Sequence, residues 1–403
     1  MLTTYRAAFR APGSAAFCAA GFIMRFSIAV YPIGLILLIS TRTGHYTFAG
    51  VLSGIYVLAN GAGNPVLARL VDSHGQSRVL LPASAVHLVG VVSIIVLAQA
   101  AAPDWALIGP TVVCGFAYMS VGSLVRARWS FVLAGRPELG TAYSLESTLD
   151  EVIFTAGPLL ATILATQLDP VAVFVCGAAL VAIGAVWLHK QRATEPPAHE
   201  PGTPRHGSAL RYRGMSILVL AAAGMGGVFA SAEVTIVAFC GQRGSTGLAG
   251  VVLACLAFGS GVSGFVYGSR ARSGNLPDRF RQQAVLFASL PMLFLAAVNI
   301  PVLAVLAFVV GLGIAPTLIT AFGLIERIVP TGALTEGMAW LTTGLSIGYG
   351  VAAALVGRLA DAYGARVAFT VTIGSGLAVG VLALALHARL RERAAESQAA
   401  VAG

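Results

Sequence analysis

Five ionisable residues, Arg25, Glu146, Asp150, Glu151 and Glu233, stand inside long apolar stretches of the chain. A charge at the centre of a membrane helix costs about 2.5–3.5 kcal/mol on insertion scales, so residues placed there carry information. Counting about 1.5 Å per helical residue from the start of its run puts Arg25 roughly 16 Å deep, near a bilayer midplane. The same count from residue 139 brings Asp150 and Glu151 to that depth, with Glu146 one turn away on the face of Asp150. Two chemistries are open to such a group. In one, Arg25 pairs with Asp150 or Glu151 while Glu146 pairs with Arg126 or Arg128, and every charge stays neutralised. In the other, acids outnumber central bases, and a carboxyl left over takes up a proton on one side of the membrane and releases it on the other. A pair that opens on proton or substrate binding would do both.

The elements that must position these residues are membrane helices. The chain has 403 residues, 57% hydrophobic and only 10% charged, against roughly 25% charged in soluble domains. Lipid accepts helices or closed barrels. The continuous apolar runs exclude a barrel, whose strands would alternate over about ten residues. Runs near 15–40, 47–69, 79–101, 104–127, 140–165 and 169–188, then 214–240, 247–269, 282–300, 302–326, 336–357 and 365–388, predict twelve transmembrane helices in an all-α membrane protein. The first run is too long for a cleavable signal and reads as a span. The 47 glycines suit close helix packing in lipid.

The net charge of +9 does not mark a nucleic-acid partner, because the basic residues lie in short turns rather than on one soluble face. They set orientation instead. With both termini cytoplasmic, twenty of the 25 Lys and Arg residues fall inside, only Arg42, Arg243, Arg358 and Arg366 fall outside, and Arg25 lies within a span. A bacterial inner-membrane location follows as an expectation, with the lipid bilayer as partner and a monomer as the assembly. The stretch 189–213, with Glu195-Pro196-Pro197 and Pro201-Gly202-Thr203-Pro204, reads as a flexible cytoplasmic linker. It separates a six-helix bundle over 1–188 from a second over 214–388, and 389–403 reads as a cytoplasmic tail.

The two bundles look like copies. Gly140-Thr141-Ala142-Tyr143 opens the fifth run and Gly337-Met338-Ala339-Trp340 the eleventh, each a similar distance after Gly115 or Gly311. Ala20-Gly21 through Phe26 matches Ala223-Gly224 through Phe229. Repeats of this kind mark transporter folds with a substrate site near the midplane.

The turn Ala68–Arg78 (ARLVDSHGQSR) places Asp72 at a helix end, Gly75 at the tight reversal and Arg69 and Arg78 on the cytoplasmic side. It resembles the G-x-x-x-D-R-x-G-R loop of the major facilitator superfamily, departing from it at Ala68 and Ser73. The corresponding turn Gly264–Arg272 (GFVYGSRAR) keeps a glycine and arginines but lacks the acid. Gly157-Pro158 in the fifth span resembles the Gly-Pro pair of antiporter members and is a candidate hinge. The stretches Glu138–Pro158 and Leu334–Asp361 are similar to actinobacterial drug or metabolite exporters.

The resemblance implies two pseudo-symmetric six-helix bundles, transport of a small molecule by alternating access, and a stabilising role for Asp72 in the outward-facing state. It also implies that the seventh span lines the central cavity, so that Glu233 binds substrate, gates, or carries the proton. The expected function is proton-coupled efflux of small amphipathic molecules. A facilitator or importer of a sugar or organic acid, with Arg25 holding the anion, is the alternative, and a membrane sensor or enzyme is one of another class. Against an enzyme, no nucleophile–base pair is visible, no His/Cys/Asp cluster has metal spacing, and no phosphate-binding Gly-Lys loop is present; no catalytic residue, metal or cofactor is expected. Phe26, Tyr31, Tyr118, Phe229 and Trp340 are candidate cavity aromatics beside Arg25 and Glu233. His87 and the five cysteines read as packing residues, and Glu326 and Glu336 as partners of Arg327.

Overall fold

The computed structural model describes residues 9–134, 136, 138–197, 209–212, 214–269, 275–329 and 334–402. Within those helices the side chains of Asp72, Glu151, Glu326, Arg327 and Glu336 lie outside the described residues. The chain divides into two compact units, Met1–Thr203 and Pro204–Gly403.

The first unit contains α1 (Ser14–Thr43), α2 (Thr47–His74), α3 (Gln76–Gln99), α4 (Ile108–Ala117), α5 (Val121–Val132), α6 (Glu138–Gln167) and α7 (Pro170–Lys190). The second contains α8 (Met215–Gly241), α9 (Ala249–Ser269), α10 (Leu276–Ser289), α11 (Ile300–Gly311), α12 (Ile314–Ile328), α13 (Leu334–Tyr363) and α14 (Ala365–Ala402). Eleven helical stretches among the described residues are long and apolar enough to cross a membrane. The remaining run, expected over 282–300, is not one α-helix. It begins as α10 and tightens into a 3-10 segment, Leu290–Ala296, where Pro291 has no N–H to continue the α-helical ladder.

The two units share one internal plan. In the first, α1 packs against α6 and α7, α2 against α4, and α3 against α7; in the second, α8 packs against α13 and α14, α9 against α11, and α10 against α14. The first helix of each unit is thus the most enclosed, and α1 and α8 each bury most of their length. The repeated glycines explain part of this plan. A Cβ on Gly115 would collide with the Tyr56 carbonyl oxygen of α2, and one on Gly311 with the Leu256 carbonyl of α9. Gly63 and Gly259 make the reciprocal approaches to Phe116 and Phe308. Where lipid supplies no hydrophobic drive, such backbone-to-backbone contact is how helices gain packing energy.

Both fourth spans are interrupted, which the apolar pattern did not foretell. The stretch Asp104–Val132 breaks at 118–120, between α4 and α5, and Ile300–Ile325 breaks at 312–313, between α11 and α12. Large apolar side chains such as Val89, Phe265, Val305 and Val381 are exposed, as helix faces turned to lipid should be.

Candidate functional site

The first unit gathers its charges around α1. Arg25 is buried and its Nε donates to the Gly21 carbonyl one turn back at 3.3 Å. Its Nη2 pairs with Glu146 Oε2, and its Nη1 donates to Asp150 Oδ1 at 2.7 Å. The second oxygen of Asp150 accepts from Arg126 Nη2 at 2.7 Å. Glu146 spends its other oxygen on Trp129 Nε1 at 2.8 Å and on the Cys18 thiol at 3.3 Å. Glu146 and Asp150 meet one guanidinium because they are four residues apart on α6 and share a face. A close approach of α6 to α1 permits the reach: a Cβ on Gly157 would collide with Ala29.

The expected pair of Arg25 with Asp150 is present, but the partner of Glu146 differs from the one expected. Glu146 takes Arg25, not Arg126 or Arg128, and Asp150 bridges Arg25 and Arg126. Two positive and two negative charges therefore cancel in the described part of the network. Its inner end is sealed, with the Glu146 side chain 0% exposed, while Arg126 and Asp150 are 35% and 30% exposed. A buried pair of this kind resists loss of one partner far more than replacement of both.

Tyr31 and Tyr118 do not stand on an open wall. They pack with Tyr56, His87 and Phe174 inside the first unit. The Tyr118 hydroxyl donates to the Met24 carbonyl at 3.2 Å and accepts from Ser27 at 3.1 Å. His87 Nδ1 lies 2.7 Å from the Cys114 carbonyl, in keeping with a packed, hydrogen-bonded role. A residue that the sequence reading passed over, Asn60, donates to the carbonyls of Gly115 and Tyr118 at 3.3 and 2.8 Å. His87 thus takes the Cys114 carbonyl at the end of α4, Asn60 joins the Tyr118 N–H on the Gly115 carbonyl, and the break is held from α3 and α2.

In the second unit, Tyr349 on α13 donates to Glu233 Oε2 on α8. No ion pair reaches Glu233 among the described residues. At the position matching Arg25 in the repeat stands the buried, apolar Val228. Phe229, one turn before Glu233, and Trp340 on α13 are both half-buried, as is Phe26 on α1.

At the turn after α2, Gly75 joins α2 to α3 with φ 89°, a value that disfavours any side chain. Arg69 and Arg78 are exposed, and the Asp72 side chain lies outside the described residues. Beside Gly75, Glu195 Oε1 accepts from the Ser77 N–H at 2.8 Å. Arg128 donates to Gln76 Oε1 at 2.8 Å, to the Gln191 carbonyl at 2.7 Å and to Thr194 Oγ1 at 3.0 Å. The first residues of the expected flexible linker, 191–195, are therefore fastened to the turn and to α5. A single glutamate in a polar stretch carries no such signal in sequence. Pro158 lies inside α6, where the Thr162 hydroxyl donates to its carbonyl at 2.8 Å. No three His, Cys, Asp or Glu side chains cluster as metal ligands among the described residues.

The sequence pattern of the Major Facilitator Superfamily matches residues 17–298 and 273–402. No curated protein matches the chain. Among solved structures, the peptide transporter POT in complex with sulfate is similar at 14% identity, with a TM-score of 0.72 and coverage of 94% of each chain. A bacterial homologue of the iron transporter ferroportin in an inward-facing state is similar at 15% identity and TM-score 0.67, over 93% of this chain and 98% of that one. The nucleoside transporter NupG is similar at 15% identity and TM-score 0.65, over 94% and 98%. With repeated helical units and a superfamily pattern over nearly the whole chain, this protein belongs to the Major Facilitator Superfamily and is a multi-pass membrane transporter, not an enzyme.

Proposed function

We propose that the chain is a proton-coupled secondary transporter that exports small amphipathic molecules across the bacterial cytoplasmic membrane by alternating access, as a monomer with both termini in the cytoplasm. The observation that carries the proton coupling is the contrast between the acids within its spans. Glu146 and Asp150 are matched by Arg25 and Arg126, whereas Glu233 has a neutral phenol, Tyr349, as its hydrogen-bond partner. A carboxyl that no cation neutralises is the one that must take a proton itself to lie stably in a helix bundle at membrane depth. Glu233 is accordingly the proton carrier, and Tyr349 holds it in both protonation states. The Arg25 network then acts as a switch, opening at its exposed Asp150–Arg126 end. Export is supported by the Gly157-Pro158 pair and its resemblance to antiporters. Asp72 steadies the outward-facing state.

An importer of organic acids would need Arg25 to receive the anion. Both arms of its guanidinium are occupied by Glu146 and Asp150, which weighs against that reading.

The test is efflux of ethidium and of uridine from proteoliposomes under an imposed pH gradient, for the wild type, Glu233→Gln and Asp150→Asn. Gradient-driven flux that Glu233→Gln abolishes is the expected result. Wild-type flux equal with and without the gradient would remove proton coupling.

A further inference from the structure

The interrupted fourth span carries a polar surface that the charge network does not use. Ser120 and Ser123 are exposed, their hydroxyls 2.8 Å apart, and with Arg126 they follow one another every three residues, on one face of α5. Asn60 ties this face to α2, since the Tyr118 carbonyl it holds lies two residues before Ser120. One turn further along α2, Asn64 donates to Asn60 Oδ1 at 3.1 Å, while its own Oδ1 is enclosed and has no partner among the described residues. At the other end, Arg126 and Asp150 are about one-third exposed.

Ser120 and Ser123 lie within the stretch Asp104–Val132, Asn60 and Asn64 within Thr47–Val71, and Asp150 within Thr141–Gln167, where a carboxamide or a charge turned to lipid is costly. The surface therefore faces water or substrate. Its charges cancel, as Arg126 and Asp150 neutralise each other, and its remaining groups are hydroxyls and carboxamides that both donate and accept. A strongly ionic ligand would find no net field here. A ligand without hydrogen-bonding groups would displace water from these atoms without replacing its bonds.

We propose that Asn64, Ser120 and Ser123, with the open Arg126–Asp150 end of the network, form a substrate-recognition face of the first unit. It takes an uncharged group rich in hydrogen-bond donors and acceptors, such as a hydroxylated ring or an amide. Asn60 is a positioning residue that holds the interrupted turn in register. The assignment refines the amphipathic substrate of the transporter reading by naming its polar part, and rests on that reading for the idea that a substrate is bound.

The experiment measures binding to the full chain in lipid nanodiscs, with no gradient applied, so its outcome is separate from that of the proton-coupling assay. The probes are uridine, alanyl-alanine and maltose, with tetraphenylphosphonium as a cation that lacks hydrogen-bonding groups. Calorimetry on the wild type should show binding of at least one polar probe, weakened about tenfold by Asn64→Leu and by Ser120→Ala/Ser123→Ala. Tetraphenylphosphonium binding, if present, should be the same in all three proteins. The serine variant keeps the assay informative if Asn64→Leu does not fold, and each variant's unfolding midpoint without probe reports on folding. Binding of no polar probe to the wild type, or equal binding to wild type and folded variants, overturns the assignment.

Discussion

Arg25 Nη1 lies 2.7 Å from Asp150 Oδ1, and the same guanidinium reaches Glu146 one turn away on α6. One arginine of α1 thereby fixes two acids of another helix, and Arg126 balances the fourth charge. Replacing Arg25 with Leu leaves Glu146 buried without its cation, an error worth about 3–5 kcal/mol. The variant should unfold at lower temperature and lower denaturant than the wild type. Arg25→Leu/Glu146→Leu should recover most of the loss, because no buried charge remains. A single variant as stable as the wild type would show that the pair contributes nothing.

Glu233→Gln retains the hydrogen bond to Tyr349 but cannot exchange a proton. Flux in the variant should lose its response to the pH gradient while probe binding survives. Tyr349→Phe removes the hydrogen-bond donor to Glu233 and should change the pH at which flux is half-maximal. A Glu233→Gln protein that still concentrates substrate against a gradient would send the search for the proton back to α6.

The glycine contacts make a prediction that spans the repeat. Gly115→Val and Gly311→Val each drive a side chain into a neighbouring backbone carbonyl and should cost a similar amount of stability. Gly109→Ala, where a Cβ meets nothing within 4 Å, should be neutral or slightly stabilising in its helix. Thermal unfolding of the three purified variants decides it. Equal midpoints for all three would mean that the helices simply part to make room.

At the turn between α2 and α3, Asp72→Asn should cripple transport while leaving expression intact, and full activity would sink the role given to Asp72. Glu195→Ala removes the acceptor of the Ser77 N–H and should cost about 1 kcal/mol, the usual loss of a helix cap. Faster hydrogen exchange at the start of α3 would report it. Exchange unchanged at residues 76–79 would show that the contact is dispensable.

How much of this was legible in advance depends on the range of the interaction. The apolar runs, the six-plus-six plan and the equivalence of Gly115 with Gly311 follow from spacing along one strand of chain. The charges within the apolar runs are legible as well, since a rise of about 1.5 Å per residue gives position along a helix without knowledge of packing. Depth does not set rotation about the helix axis. That is why Glu146 was matched with the arginines of α5 when it faces Arg25, and why Tyr31 and Tyr118 were placed beside a cavity when they pack against His87. Asn60, Asn64, Ser120 and Ser123 drew no notice, because hydroxyls and amides are common in membrane helices and nothing local announces the interrupted turn.

The sequence by itself determined that this chain is a bundle of membrane helices in two copies of one plan, because lipid admits few solutions for a backbone and the hydrophobic pattern selects one. It also determined which ionisable groups would be deep. Only the tertiary structure decided which of those charges are cancelled and which is left to a phenol, since pairing depends on helix rotation and on contacts between residues more than a hundred positions apart, such as Arg25 with Glu146 and Tyr349 with Glu233.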